Sequence, residues 1–433
     1  MIGKIYDWIN KDSEGAVCKD ITDEACGVVP ENFGRLFLTM VLTKTGDALS
    51  KPGLILTWLL SALGANSFFI GLLVPIREAG SLLPQMIVGG AIRKHTIRKG
   101  FWLVGGILQG LAVIGMAISA LLFKGTTAGW IIVSLLAIFS LSRGICSIAS
   151  KDLVGKTIPK TRRGRLSGLA SSVSGWIAVG VGLFFAFNRA ENFPLSLFAI
   201  LLFAAGATWL IASGIMATLD EKPGPASGEG NAFQKAWKSF RYLREDRQFR
   251  RFCIARALLA STVLSMPFYV VIAREATGGK IASLGILMVA GSIATAVSGF
   301  AWGKIADKSS RLTLGIAGLS AGLVGCLTAW LATLKFNADI SIWIFGALFF
   351  LIGLAHTGIR VGRKTYLVDM ATAENRAALV ALSNTLMGIV LLLSGSFGLL
   401  ANALGNEMII LVFAILGIIG SLMAFTLPDV QEG

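Results

Sequence analysis

Two long apolar runs, separated by a short charged turn, most constrain what this chain can fold into. Residues 281–302 and 312–334 are almost wholly apolar or small. One crossing of a hydrocarbon core needs about 20 residues of helix, and a backbone without water must form helices or a closed barrel. Both runs are far longer than barrel strands. The sequence therefore predicts a helical membrane protein with several crossings.

The composition of the whole chain agrees with this class. Hydrophobic residues make up 55% and charged residues 15%, whereas soluble domains average roughly 45–50% and about 25%. The net charge of +15 would suit a nucleic-acid partner, but most of the 39 Lys and Arg fall on one side of the predicted spans. This asymmetry follows the positive-inside rule. It predicts cytoplasmic termini, contact with membrane lipids and no nucleic-acid partner; the family resemblance given below implies a bacterial plasma (inner) membrane.

The charged turn holds a glycine, an acid and two bases in close succession: Gly303, Asp307, Lys308 and Arg311. A weaker copy begins at Gly90, 213 residues earlier, with Lys94 where the acid should stand. The pattern resembles the signature loop of the major facilitator superfamily, Gly-x-x-x-Asp-Arg/Lys-x-Gly-Arg. The resemblance implies gating roles for Gly90, Gly303, Asp307, Lys308 and Arg311. It also implies that Asp307 meets a helix N-terminus of the opposite bundle and steadies the outward-facing state.

The resemblance covers about residues 33 to 428 and implies an all-α fold of twelve transmembrane helices in two pseudo-symmetric six-helix bundles. We expect a cytoplasmic N-terminal segment (1–32), a first bundle (33–218), a cytoplasmic linker with an amphipathic helix (219–248), a second bundle (249–428) and a cytoplasmic tail (429–433). The first span is predicted at residues 33–50, where Lys51, Pro52 and Gly53 end it. Residues 57–64 are then an outer half-turn, and Lys51 belongs to an outer loop.

Charged residues inside the spans are expensive and point to function. In the first span, Lys44 and Asp47 are three residues apart and share a helix face. They form either a neutralising pair that fixes packing or part of a transport site, and the sequence leaves both open. Arg77 and Glu78 are neighbours near the centre of the second span. Because adjacent residues point about 100° apart on a helix, at least one needs a partner on another helix.

Further cations lie in three other spans. Arg143, followed by small residues in the fourth span, resembles the second motif of the superfamily. Arg256 in the seventh span either reaches back to the cytoplasmic surface or faces the substrate. In the tenth span, His356 and Arg360 lie deep, while Arg363 and Lys364 are expected at the solvated boundary. A cavity with Lys44, Arg77, Arg143, Arg256, His356 and Arg360 suits an organic anion or zwitterion.

The coupling proton is assigned to Glu78 or Asp47. Lys44 holds Asp47 ionised, whereas burial favours the protonated form of Glu78, whose charge is less surely compensated. Asp47→Asn would leave Lys44 buried and unpaired. Glu78 is therefore the first candidate and Asp47 the second.

No catalytic constellation, nucleotide-binding loop, cofactor motif or metal spacing occurs in the sequence, which predicts no enzyme. The resemblance implies a monomeric secondary transporter that moves a small solute by alternating access, with protons as the coupling ion. One alternative is a multidrug/proton antiporter, although the fifth span lacks the proline that often accompanies its glycines in that group. The other alternative is a transporter-like sensor that moves nothing.

Overall fold

The computed structural model describes residues 21, 23–83, 92, 94–188, 194–223, 240–372 and 375–431. Within these ranges the chain is helical and contains no strand. Gly90 lies outside the described residues, as does most of the predicted amphipathic helix after residue 231. The remaining signature residues can all be placed.

Six long helical elements form the first half of the chain. They are α1 (Val29–Leu49, a π-helical turn Pro52–Leu56 and Thr57–Ala62), α2 (Ser67–Leu82), α3 (Lys99–Leu122), α4 (Gly125–Thr157), α5 (Lys160–Phe187) and α6 (Leu195–Ala217). A short helix, Asp23–Cys26, precedes α1.

The second half repeats this arrangement after another short helix, Arg241–Glu245. Its elements are α7 (Arg247–Leu259 and Ser261–Ala276), α8 (Ile281–Lys308), α9 (Ser310–Ala332), α10 (Ala338–Asp369), α11 (Arg376–Ser394 and Phe397–Leu404) and α12 (Asn406–Phe425). Three of these helices begin at a side-chain cap: Asp246 accepts from the backbone of Phe249, Ser309 from Leu312 and Asn337 from Ile340. Such caps satisfy backbone N–H groups that a helix start leaves free.

The described residues thus form twelve long helical elements, which fits the predicted twelve spans. Ten of the described helices are long and apolar enough to cross a membrane. The other two are α1, whose first segment carries four charged residues, and α2, whose described part has 16 residues. Their polarity and the gap at residues 84–91 explain why hydropathy alone does not select them.

The prediction that the first span ends at Lys51 is wrong. The backbone turns at Lys51, whose carbonyl accepts from Leu54 and Ile55, and helical structure continues to Ala62. Leu59 and Leu60 in this continuation are fully buried. Proline is tolerated here because it stands in the first turn after a break, where its missing N–H costs nothing.

The helices pack as two six-helix bundles. In the first bundle α3 packs between α4 and α6, with α1 against α5 and α6; in the second, α9 packs between α10 and α12, with α8 against α10. The most extensive contacts between the bundles are those of α2 with α11 and of α5 with α8. Small residues bring these pairs together, as in other membrane proteins.

The bundles meet closely at one end only. A side chain at Gly71 on α2 would place its Cβ 2.5 Å from the Cα of Gly398 on α11, and one at Gly285 on α8 would lie 2.2 Å from the nitrogen of Ala186 on α5. We call this end the far face. At the opposite end, where α1 begins and α12 ends, Gly168 on α5 and Gly299 on α8 have open space around them. This terminal face is therefore the open side.

Candidate functional site

An ion cluster joins three helices of the first bundle. Arg143 on α4 donates from Nη1 to both carboxylate oxygens of Asp47 on α1. Arg77 on α2 donates to the same carboxylate, with 3.3 Å between Nη2 and Oδ1. The guanidinium of Arg77 also lies over the ring of Phe139, 5.3 Å from its centroid. Charge-assisted bonds and a cation–π contact hold the three helices in one arrangement.

This cluster corrects the expected Lys44–Asp47 pair. Lys44 forms no ion pair among the described residues, although Asp47 lies within its electrostatic range. The arginines prevail because they approach from other helices and offer planar donors that match a carboxylate. The expectation that Arg77 or Glu78 needs a partner on another helix is confirmed by the contact between Arg77 and Asp47.

Glu78 is half-buried on α2 and forms no ion pair within the described part of the chain. Its carboxylate is close enough to attract the guanidinium groups of Arg77, Arg143 and Arg363. Arg363 belongs to α10 of the second bundle. The Glu78 carboxylate of the first bundle therefore interacts electrostatically with a cation of the second bundle.

The second bundle gathers cations between α7, α10 and α11. Arg256 is 7% exposed and donates to the Ser383 hydroxyl and, at 3.0 Å, to Oδ1 of Asn384 on α11. It does not reach the surface, so of the two interpretations left open the structure favours an inward-facing arginine. His356 and Arg363 on α10 lie beside it, and Arg360 is exposed. Unlike Asp47 in the first bundle, no described carboxylate pairs with these side chains.

A cavity of about 750 Å³ lies between the bundles, lined by α1, α5 and α8. Lys51 is the one charged side chain among the described residues that line it. Serines 171, 172 and 174 add hydroxyl groups, and Trp176, Met288 and Val297 are among its apolar walls. Lys51 lies in electrostatic range of both His356 and Arg360. The cavity therefore has a cationic end and a largely apolar wall.

The sequence places two residues of this region differently from the structure. Lys51 was assigned to an outer loop, but it lines the cavity because α1 continues beyond it. The signal was the apolar stretch 54–63, which is too long for a half-turn. Arg363 was expected to be solvated at the boundary, but its Nε is buried. Lys364 is exposed, as expected, whereas Arg360, which was expected deep in the span, is exposed as well.

The signature turn at the end of α8 has a different geometry from the expected one. Gly303 lies inside α8, which continues to Lys308, so it does not end the helix. Asp307 and Lys308 are exposed at the terminal face. Arg311 contacts Asp429, with 3.0 Å between Nε and Oδ2. Partial burial would raise the pKa of Asp429, but the Gln431 N–H, the Ser309 hydroxyl and Arg311 together lower it below its usual range.

The first bundle uses Glu221 at the corresponding junction. Its buried carboxylate accepts from the backbone N–H groups of Arg98 and Lys99 at the start of α3, at 2.7–2.9 Å. Lys156 on α4 adds a contact of 3.0 Å. Glu221 was assigned to the linker, yet it closes a helix N-terminus of its own bundle, where an acid is favoured.

No group of three or more His, Cys, Asp or Glu side chains that could hold a metal ion occurs among the described residues. The features that remain are buried charges, a cavity between bundles and two interlocked junctions.

Comparisons with known proteins agree with this fold. A family model described as Major Facilitator Superfamily matches residues 36–335 and 252–433. The Uncharacterized protein Rv2209 of Mycobacterium tuberculosis (strain ATCC 25618 / H37Rv) is 26% identical over 373 residues, which cover 80% of this chain and 70% of the relative. The Uncharacterized protein Mb2232 of Mycobacterium bovis (strain ATCC BAA-935 / AF2122/97) shows the same values.

Solved transporter structures share the architecture at low identity. The nucleoside transporter NupG aligns with a TM-score of 0.69 and 12% identity, over 92% of this chain and 98% of that one. The xylose transporter XylE from E. coli, in an inward open conformation, gives 0.65 and 14%, over 93% and 97%. A POT family transporter bound to a thioalcohol conjugated peptide gives 0.68 and 13%, over 90% and 95%. At these identities the likeness shows the fold alone.

Proposed function

This chain belongs to the Major Facilitator Superfamily, whose fold is that of secondary transporters, and we propose that it moves a small organic anion or zwitterion across the membrane with protons as the coupling ion. One observation carries the proposal: the cations around the space between the bundles outnumber the acids. Asp47 is already bound by Arg77 and Arg143. Lys44, Lys51 and Arg360 are then left to meet a negative charge.

The arrangement of the bundles supports alternating access. Besides the close glycine contacts, Arg274 on α7 donates to the Ser61 hydroxyl at 3.1 Å and closes the far face. The cavity instead lies between the diverging halves of α5 and α8. With the termini in the cytoplasm of a bacterial cell, this is the inward-facing state. A rocking motion about the buried charges would expose the same side chains to the other side.

The size and lining of the cavity suit a small solute. About 750 Å³ lies within the range of roughly 300–1,000 Å³ that is usual for small-molecule sites. Lys51 at one end would bind an anionic group, and the serines of α5 would donate to its polar atoms. Arg360, within electrostatic range of both Lys44 and Lys51, would contribute from the opposite bundle.

We assign the proton to Glu78. Its charge attracts Arg363 of the other bundle, so protonation would weaken an attraction across the gap. A proton that changes the attraction between bundles also changes the balance between the two access states. Asp47 is a poorer carrier, because protonation would leave two arginines without their counter-ion.

Transport by purified protein in liposomes tests the proposal. Carboxylates, phosphate esters and amino acids that raise the melting temperature would be offered as labelled solutes, with and without a pH gradient. We expect the wild type to concentrate at least one of them. Glu78→Gln should abolish accumulation driven by the gradient but retain exchange across the membrane, which needs no net proton movement.

The control is Glu407→Gln, which removes a carboxylate from the first turn of α12 at the far face. It should behave as the wild type. If Glu78→Gln still concentrates the solute, coupling lies elsewhere and Asp47 is the next candidate. Ligands that bind but never cross would indicate a transporter-like sensor instead.

The apolar wall of the cavity favours one alternative. Trp176, Met288 and Val297 would suit the body of a lipophilic compound. A multidrug/proton antiporter would then be the function. In the same liposomes it would export several unrelated lipophilic cations, which the cationic end of the cavity opposes.

A further inference from the structure

A second, much smaller pocket lies inside the second bundle, apart from the large cavity. It is formed by α7, α9 and α10, and its volume is about 20 Å³. Four of its lining side chains are basic: Arg256, His356, Arg360 and Arg363. Leu259 and Leu314 are among the apolar residues that complete the wall. None of the described residues that line this pocket carries a carboxylate.

The three arginines of the pocket are close enough to repel one another. Arg363 lies in electrostatic range of Arg256, His356 and Arg360. Among the described residues, the acid that acts on this group is Glu78, which belongs to the other bundle and interacts with Arg363. Buried like charges without a counter-ion are strongly unfavourable in a low-dielectric interior. The pocket therefore needs a negative charge that its own bundle does not supply.

Hydrogen bonding leads to the same conclusion. Arg256 is 7% exposed, and its two terminal nitrogens donate to Ser383 and Asn384. Its Nε, and that of Arg363, are buried and have no acceptor among the described residues. A buried guanidinium N–H without an acceptor destabilises the fold, because no hydrogen bond compensates for its removal from water. Two such donors at one pocket indicate an acceptor that is not part of the chain.

We propose that this pocket binds one small inorganic anion of the size of chloride. The pocket admits a water-sized particle with room to spare, which suits a monatomic anion such as chloride. The anion accepts from Arg256 and Arg363 and screens the repulsion among the three arginines, which leaves exposed Arg360 free to face the large cavity. The inference does not depend on transport.

Thermal unfolding of the purified full-length protein in non-ionic detergent tests the site. Sodium chloride would be exchanged for sodium gluconate at constant ionic strength, so that screening of surface charges stays the same. An anion that binds only the folded state raises the melting temperature with a saturating dependence on its concentration. We expect a rise of several degrees with chloride or bromide and none with gluconate. Equal melting temperatures in chloride and gluconate would overturn the proposal.

Two variants locate the effect. Arg363→Gln should abolish the dependence on chloride and weaken binding of radioactive chloride at least tenfold. The matched control is Arg274→Gln, since Arg274 also has a buried Nε without an acceptor among the described residues but lies at the far face, outside this pocket. It should keep the chloride dependence. A dependence that survives in Arg363→Gln, or that disappears in Arg274→Gln, would overturn the assignment to this pocket.

If Arg363→Gln does not fold, Arg363→Lys replaces it. Lysine keeps the charge but lacks the planar Nε donor, so chloride should bind several-fold more weakly. Unchanged affinity in Arg363→Lys would count against the proposed contact. Binding of radioactive chloride to the wild type, with one site per chain expected, decides the question without any variant.

Discussion

Both bundles place charged side chains inside their helices, but they pair them differently. In the first bundle, one carboxylate, Asp47, binds both Arg143 and Arg77 and joins α1, α2 and α4. In the second, Arg256, His356 and Arg363 lie together, and no described carboxylate pairs with them. A carboxylate bound by two arginines fixes helix packing, whereas cations without a carboxylate partner favour a negative ligand. Under the proposed function, the Asp47 cluster fixes the first bundle, and Lys44, Lys51 and Arg360 meet the charge of the solute.

The largest effect is expected from loss of Asp47, which tests whether its ion cluster fixes the packing of the first bundle. Asp47→Asn leaves two arginines facing each other across buried helices. Removal of one partner of a fully buried ion pair typically costs about 3–5 kcal/mol, and we expect less here because the side chains of Asp47 and Arg143 are 21% and 31% exposed. We expect the melting temperature to fall strongly and the yield of folded protein to drop, as measured by thermal unfolding and size-exclusion chromatography.

The control for this variant is Asp339→Asn. Asp339 pairs with Lys280 at 2.8 Å, but its side chain is 83% exposed. Exposed pairs contribute about 0–1 kcal/mol. If Asp47→Asn were as stable as Asp339→Asn, the cluster would not hold the bundle together, and Asp47 would return as a candidate for proton coupling.

The second prediction tests whether Arg360 contributes to ligand binding rather than to packing. Arg360 is exposed and forms no ion pair among the described residues. Arg360→Gln should change the free energy of unfolding by no more than about 0.5 kcal/mol. A hydrogen bond to a charged group is worth about 1.5–3 kcal/mol, so an anionic solute should bind roughly ten- to a hundredfold more weakly. Calorimetry with a solute identified in liposomes measures this.

If Arg360→Gln lost stability but kept its affinity for the solute, Arg360 would be a packing residue and not a ligand-binding one. Lys335→Gln is a suitable control, since Lys335 is an exposed cation outside the helices and the cavity. It should change neither quantity.

Much of the fold could be predicted because it rests on local properties of the sequence. Runs such as residues 281–302 must be helical in a membrane whatever their neighbours are. The duplicated turn at Gly303 then indicated two repeats. The error at Lys51 arose because Pro52 and Gly53 usually stop a helix, and only burial of Leu59 and Leu60 against other helices explains why structure continues.

The pairing of charges could not be predicted in the same way. Lys44 is near Asp47 in sequence, but Arg143 reaches it from 96 residues away. Sequence spacing describes one helix face and not which helices are neighbours. The same limit applies to Glu221, whose buried place at the start of α3 depends on how α6 returns to the terminal face.

The two bundles also close their helix junctions at the terminal face with different residues. In the first bundle, Glu221 accepts from the start of α3 and from Lys156. In the second, the tail after α12 takes this part, with Asp429 bound to Arg311 and the amide oxygen of Gln431 bound to the Ser310 N–H at 2.7 Å. Each bundle therefore closes its own junction without the acid of the signature turn. Asp307 is left exposed and available to the opposite bundle.

The smallest expected effect follows from this position of Asp307. In the conformation described here Asp307 makes no ion pair among the described residues, so Asp307→Asn should leave its stability unchanged. If the acid meets a helix N-terminus when the terminal face closes, its loss removes about 0.3–1 kcal/mol from the closed state. The population open at the terminal face should then rise about two- to fivefold.

Distances between spin labels at Lys160→Cys and Thr372→Cys, on opposite bundles, would report the shift. The substrate affinity of each state should not change, and Asp339→Asn should leave the distances as in the wild type. Distances that match this control would mean that Asp307 is an ordinary solvated residue and that Glu221 and Asp429 hold the two bundles without its help.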